Sequence, residues 1–213
     1  MQKNKGIFLG VSLMTTDYYS KARISEYAKW GLTKYGRFLV VIADLPEELN
    51  WVVIKGISYD EAKSRISKRT ENLKKGYLRA LCGFDKASVV SATELSRVGK
   101  YSQIFLSLLN EYKHNGEFRN CVNSTVLTNL SGLLASINSP KSIIDSLAPY
   151  VLHEYAISIL LKWNYHPSFS VQVSPKPDAL MEDVLCGKFK AIFERLVISP
   201  SPYEYITKPL MEA

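Results

Sequence analysis

The chain has 213 residues, 46% hydrophobic and 22% charged, enough to bury a sizeable core, and a single domain over residues 1–213 is expected. Its formal charge of +7 points toward polyanionic partners, with nucleic acid or an anionic membrane surface first. Three widely separated cysteines, Cys82, Cys121 and Cys186, form no even-numbered disulfide framework and match no zinc spacing, which fits a reducing compartment.

The N-terminus MQKNKGIFLGVSLM places Lys3 and Lys5 before an apolar run, but the run ends at Met14 with no small-residue cleavage site. No apolar stretch approaches the ~20 residues of a membrane span. The expectation is therefore a soluble cytoplasmic protein, a monomer, with no membrane partner. Within that run, Gly6 to Ser12 has the continuous apolar pattern of a strand buried on both faces of a parallel sheet. Apolar positions Ile24, Tyr27, Ala28, Gly31, Leu32 and Tyr35 then follow one face of a helix that Gly36 is placed to stop. A second apolar run from Phe38 to Ala43 completes a βαβ unit, and Asp44, Leu45 and Pro46 leave the sheet.

Ser58 and Glu61 form a capping box, which predicts a helix from there to about Ala80, weakened near its end by Gly76. A short strand over Ala87 to Ser91 and helices over Tyr101 to Lys113 and Phe118 to Leu134 follow. Ser139-Pro140 starts another helix, which Pro149 is expected to kink or restart before Tyr150. The helical pattern resumes from Tyr150 to about Lys162. Ser168 to Val173 alternates and is expected to be the last strand. Pro177 opens a final helix toward Lys188, and the tail with Pro200, Pro202 and Pro209 is expected to run extended over the surface. This order is that of an α/β fold, a single Rossmann-like domain with a mostly parallel central sheet flanked by helices.

Open parallel sheets bind ligands at the carboxyl ends of their strands, where Ser12 stands behind Gly10. Gly10 removes a side chain where a substrate would approach, and the loop amides after Ser12 are placed to donate to an oxyanion. Gly-x-Ser at a strand end is common, and the hydrolase elbow G-x-S-x-G is absent because Met14 replaces its second glycine. Tyr150 and Glu154 lie four apart and share a helix face with Ile157 and Leu161. A buried Glu154 needs a cation or a raised pKa, and a substrate ammonium would satisfy it; the competing placement is an exposed Glu154 with Tyr150 as ordinary core. The helix after Ser58 carries Lys63, Arg65, Lys68, Arg69, Lys74, Lys75 and Arg79 against few acids, a one-sign face suited to phosphates. The histidines His114, His153 and His166 match neither a metal site nor a triad, and no cofactor or metal site is expected. Tyr18 and Tyr19 are read as aromatic core near Ser12 that could also line a pocket.

Taken jointly, FLGVS, the aliphatic strand with Asp44 and Pro46, the basic helix and Tyr150 with Glu154 in YVLHE resemble the cyclodipeptide synthases over nearly the whole chain. That family looks like the catalytic domain of class I tyrosyl and tryptophanyl tRNA synthetases without ATP-dependent activation. The resemblance implies an ATP-independent, tRNA-dependent aminoacyltransferase that joins two aminoacyl-tRNAs into a cyclic dipeptide. By it, Ser12 receives the first aminoacyl group, Gly10 is the glycine before it, and Tyr150 and Glu154 hold the amino group. Arg65, Lys68, Arg69, Lys74, Lys75 and Arg79 correspond to the tRNA-binding helix, and Phe8 and Val40 to pocket walls. Thr15 stands where one branch of the family has asparagine. Ser174-Pro175 stands where the other branch has tyrosine-proline, so the late tyrosine is missing; Tyr165-His166 precedes the strand and lies too close to Glu154 to replace it. Two rivals follow from the same residues: a noncatalytic tRNA- or RNA-binding module, and a serine hydrolase that would need a histidine base.

Overall fold

The apolar run at the start of the chain becomes the middle strand of a parallel sheet. The computed structural model describes residues 6–13, 17–45, 47–134, 140–164, 169–174, 178–198 and 204–207. Within them, strands β1 (Gly6–Val11), β2 (Phe38–Ile42), β3 (Ala87–Ser91), β4 (Phe169–Ser174) and β5 (Glu204–Thr207) form one sheet in the order β3-β2-β1-β4-β5. Every pairing is parallel. The strand order reverses at β1, so the crevice between β1 and β4 is a topological switch point, where open α/β sheets place ligands.

The helices are α1 (Lys21–Tyr35), α2 (Glu47–Lys55), α3 (Tyr59–Ala80), α4 (Ala92–Leu95), α5 (Tyr101–His114), α6 (Gly116–Leu134), α7 (Pro140–Ile159), α8 (Ala179–Leu185) and α9 (Lys190–Leu196). Alternation along the strands divides the core into two layers. Ile7, Leu9, Val11, Phe38, Val40 and Ile42 face one layer with Ile24, Tyr27 and Ala28 of α1 and Ile66 and Tyr77 of α3. Phe8, Leu39 and Val41 face the other, with the buried sides of α5 to α9. Helix α1 starts where Ser20 Oγ accepts from the Arg23 amide and stops at Gly36, whose φ of 81° favours glycine. Ser58 Oγ caps α3 by accepting from the Glu61 amide, while the Glu61 carboxylate pairs with Arg65 at 2.6 Å.

Three expectations are corrected by the structure and one is narrowed: helix α7 does not restart at Pro149 but continues through it. An interior proline costs about 3 kcal/mol, but Leu147, Ala148, Val151 and Leu152 around it are fully buried, and burying one Leu or Val returns about 1.5–3 kcal/mol. A π-helical turn over Leu160–Asn164 then ends the segment. The strand at Phe169–Ser174 is not the last, because part of the expected surface tail pairs with it as β5. The helix expected toward Lys188 is present as α8, capped by Asp178, but it is not the final one, because α9 follows from Lys190. Finally, Pro46 is followed by a helix, α2, where only departure from the sheet was expected. The buried residues of α2 are Glu47 and Asn50, so apolar periodicity cannot reveal it. Among the described residues no helix is long and apolar enough to cross a membrane.

Candidate functional site

A cavity of about 770 Å³ opens at the carboxyl end of β1, a volume ordinary for small-ligand sites. The sheet contributes Phe8, Gly10 and Ser12 from β1 and its exit, Val41 from β2 and Gln172 from β4. Tyr150, His153, Glu154 and Ile157 of α7 form the facing wall, with hydroxyl-bearing Ser124, Thr125 and Thr128 of α6 beside them. The i, i+4 spacing puts Tyr150 and Glu154 on this wall together, as the helical period requires. Gly10 has nothing within 4 Å of where a Cβ would stand, so the cavity reaches the backbone of β1 there.

Ser12 is partly exposed to the cavity, and its hydroxyl donates to Glu47, the first residue of α2. Only 6% of Glu47 is exposed. Burial pushes its carboxyl above the ordinary carboxylate range, against the opposing pull of a hydrogen bond from Asn50, the charges of Arg69 and Lys55, and the Ser12 hydroxyl. The Asn50 amide nitrogen serves Glu47, while its Oδ1 is buried without a partner. Such an orphaned acceptor costs about 1–3 kcal/mol. Tyr150 donates to Glu154, and burial, with the negative charges of Glu154 and Glu47, holds the phenol protonated far above its usual range. Ser12, Glu47, Tyr150 and Glu154 thus form one chain of polar contacts and charge interactions across β1, α2 and α7. Tyr19 borders the same cavity, and its carbonyl accepts from Tyr77 at 2.9 Å. Tyr18 is core, packed on Tyr27.

His153 also faces the cavity, stacked on Phe105 with ring centroids 4.2 Å apart and hydrogen-bonded to Tyr101. Burial lowers its pKa to about 4, so the imidazole is neutral at pH 7. His114 lies exposed on α5, and His166 lies outside the described residues. Among the described residues, no group of three or more His, Cys, Asp or Glu side chains is placed to hold a metal ion.

Of the other sequence-derived site residues, Val40 is corrected. It is buried in the layer with α1 and α3, and the wall position belongs to Val41, the register partner of Gly10. Thr15 lies outside the described residues. Ser174 ends β4 and pairs with Thr207, but its side chain lies outside the described part. On α3, Arg65, Lys68, Lys75 and Arg79 are exposed and fall on one stripe by the helical period. Lys75 pairs with Glu71 at 3.6 Å across that exposed surface. Lys74 turns toward Glu94 of α4, and Arg69 is partly buried with its charge acting on Glu47. Sequence reasoning missed Glu47, Gln172 and the α6 hydroxyls. Asp178 was missed as well; it borders the cavity, accepts from Tyr155 at 3.1 Å and caps α8. For Glu47 a signal existed: proline followed by two acids marks a first helical turn.

Comparison with solved structures matches the fold. A cyclodipeptide synthase from Fluoribacter dumoffii superposes with a TM-score of 0.73 at 13% identity, covering 94% of this chain and 88% of that one. One from Candidatus Glomeribacter gigasporarum, bound to Phe-tRNAPhe, gives 0.66 at 20% identity, covering 99% and 92%. A Mycobacterium tuberculosis cyclodipeptide synthetase, described as related to type I tRNA synthetases, gives 0.66 at 16% identity, covering 97% and 82%. No curated protein matches the sequence. The family model for cyclodipeptide synthase matches residues 1–156, a stretch that holds Ser12, Glu47, Tyr150 and Glu154 together. By that match the chain belongs to the cyclodipeptide synthase family, tRNA-dependent enzymes that make cyclic dipeptides from aminoacyl-tRNAs.

Proposed function

We propose that the enzyme works as a monomer through a seryl aminoacyl-enzyme and a dipeptidyl-enzyme, with Ser12 as the nucleophile. The observation that carries this reading is the position of Ser12, partly exposed at the carboxyl end of β1 and opening on the cavity that Tyr150 and Glu154 face. Ser12 Oγ attacks the ester carbonyl of one aminoacyl-tRNA and free tRNA leaves. Ester is exchanged for ester, so positioning, a route for the proton and stabilisation of the oxyanion suffice. Glu154, oriented by the Tyr150 hydroxyl, binds the ammonium of the held residue and accepts its proton as it becomes a nucleophile. An unperturbed α-amino group titrates near 7.7, so the shift required is small. The freed amine attacks a second aminoacyl-tRNA, and the new terminal amine then closes on the Ser12 ester to release the ring.

Phe8, Val41, Ile157 and Gln172 wall the cavity around the acyl group in this scheme, with Gly10 leaving room for its approach. The exposed stripe of Arg65, Lys68, Lys75 and Arg79 contacts tRNA phosphates, which supplies affinity without reading sequence. The Glomeribacter protein bound to Phe-tRNAPhe supports an aminoacyl-tRNA as the partner. Incubation with a pool of charged tRNAs and mass spectrometry of small products tests the scheme. Cyclic dipeptides from the native enzyme and none from Ser12→Ala is the expected result; undiminished product from Ser12→Ala refutes the nucleophile.

A further inference from the structure

Ester exchange at Ser12 requires a group that removes the Oγ proton, and Ser174 stands where the family resemblance places a tyrosine. The Ser12 hydroxyl is already donating to a carboxylate, Glu47, held at the start of α2. We propose that Glu47 is the general base for Ser12, filling the proton-handling role that position 174 lacks. This rests on the reading of Ser12 as the nucleophile.

Three features of the site support the role. Glu47 is 6% exposed, so its carboxylate is poorly solvated. Asn50, one turn along α2, donates to it while its own Oδ1 stays unpartnered, so a second side chain holds the carboxylate. The groups that bear on it are Arg69 of α3, Lys55 of α2, and Tyr150 of α7 with Glu154 behind it. Their balance with burial leaves its proton affinity above that of an ordinary carboxylate, in the direction a base working near neutral pH requires. Glu154, bonded to Tyr150, is left for the substrate ammonium, so the two carboxylates divide two tasks.

The proton balance closes. In acyl transfer, Oγ forms its bond to the ester carbon as its proton passes to Glu47. The tetrahedral adduct collapses with cleavage of the bond to the ribose oxygen, which departs with that proton and leaves Glu47 ionised. In ring closure the attacking amine gives up a proton to Glu47 while its nitrogen bonds the seryl ester carbon. Oγ then leaves and takes the proton back, restoring the Ser12 hydroxyl.

The test is single-turnover acylation of native enzyme, Glu47→Gln and Glu47→Asp by one radiolabelled aminoacyl-tRNA, with tRNA affinity and melting temperature measured alongside. Glutamine keeps the size and can still accept from Oγ, so a merely positioning Glu47 predicts near-native acylation by that variant. As a base, its loss slows acylation by about 10²–10⁴-fold at unchanged tRNA affinity. The native acylation rate rises with pH through one ionisation above the ordinary carboxylate range, and that rise is absent in Glu47→Gln and retained in Glu47→Asp. Acylation of Glu47→Gln within about threefold of native, with label still on Ser12, overturns the base and leaves the nucleophile standing. Native enzyme that makes product without carrying label overturns both. Should Glu47→Gln melt early, a native acylation rate that shows no rise with pH above the ordinary carboxylate range overturns the proposal without the variant.

Discussion

Substituting Gly10 separates the demands of the fold from those of the substrate. Nothing lies within 4 Å of a Cβ built at this position, and its φ is not in the left-handed region, so Gly10→Ala adds a methyl group to open space without strain. Restricting the unfolded chain in this way stabilises by about 0.4–1 kcal/mol. For a protein of this size each kcal/mol moves the melting temperature by about 2–4 °C, so a rise of about 1–4 °C is expected. The same methyl projects beside Ser12 where the acyl group is proposed to approach, and a displacement of about 1 Å costs on the order of 10² in rate. Calorimetry and single-turnover acylation on the same preparation give both readings. A stabilised protein with full acylation rate refutes the approach past Gly10, and a fall of several degrees refutes the open space.

Alanine at Arg65, Lys68, Lys75 and Arg79 together is expected to flatten the salt dependence of tRNA binding by about one unit of log–log slope for each phosphate no longer neutralised. Lys74→Ala, whose cation is engaged by Glu94, changes it less; an unchanged slope in the quadruple variant refutes the stripe. Arg195 pairs with buried Glu111 at 2.7 Å and donates to Ser107, so Arg195→Met leaves a carboxylate uncompensated. With Arg195 one-third exposed, the cost falls at the low end for a buried pair, about 3 kcal/mol or roughly 6–12 °C in melting temperature. Adding Glu111→Gln should recover part of it, and a melting temperature unmoved by Arg195→Met contradicts the pairing. His153 has a folded pKa of about 4 against an ordinary 6.5, so the unfolded chain takes up its proton first as pH falls. Its contribution is full above pH 6.5 and is lost toward pH 4, so His153→Phe should lose less stability than native between pH 7 and 5. Equal losses contradict a neutral, buried imidazole.

The βαβ start was legible because its two signals are independent: continuous apolar runs for β1 and β2, and an i, i+3, i+4 face for α1 stopped by a glycine. The same continuity hid which face each residue takes. All five residues of β2 are buried, so nothing in FLVVI distinguishes Val40 from Val41, and the wall residue was misplaced by one. Strand β5 escaped because it is short and follows a proline-rich stretch, and α2 because it buries polar residues where periodicity looks for apolar ones. At the site, Tyr150 and Glu154 were readable as a pair because one helix spaces them. The Ser12–Glu47 contact joins a strand end to a helix that the sequence did not reveal, and only the folded arrangement of β1, β2 and α2 brings them together.

The central claim is that Ser12 carries the first aminoacyl group. It is tested most directly by quenching the enzyme in acid during turnover on one aminoacyl-tRNA, then mapping adducts by peptide mass spectrometry. We expect the mass of a single aminoacyl residue on Ser12, discharged when a second aminoacyl-tRNA is added, and no adduct in Ser12→Ala. Cyclic dipeptide accumulating with Ser12 unmodified throughout, or an adduct that persists in Ser12→Ala, contradicts it.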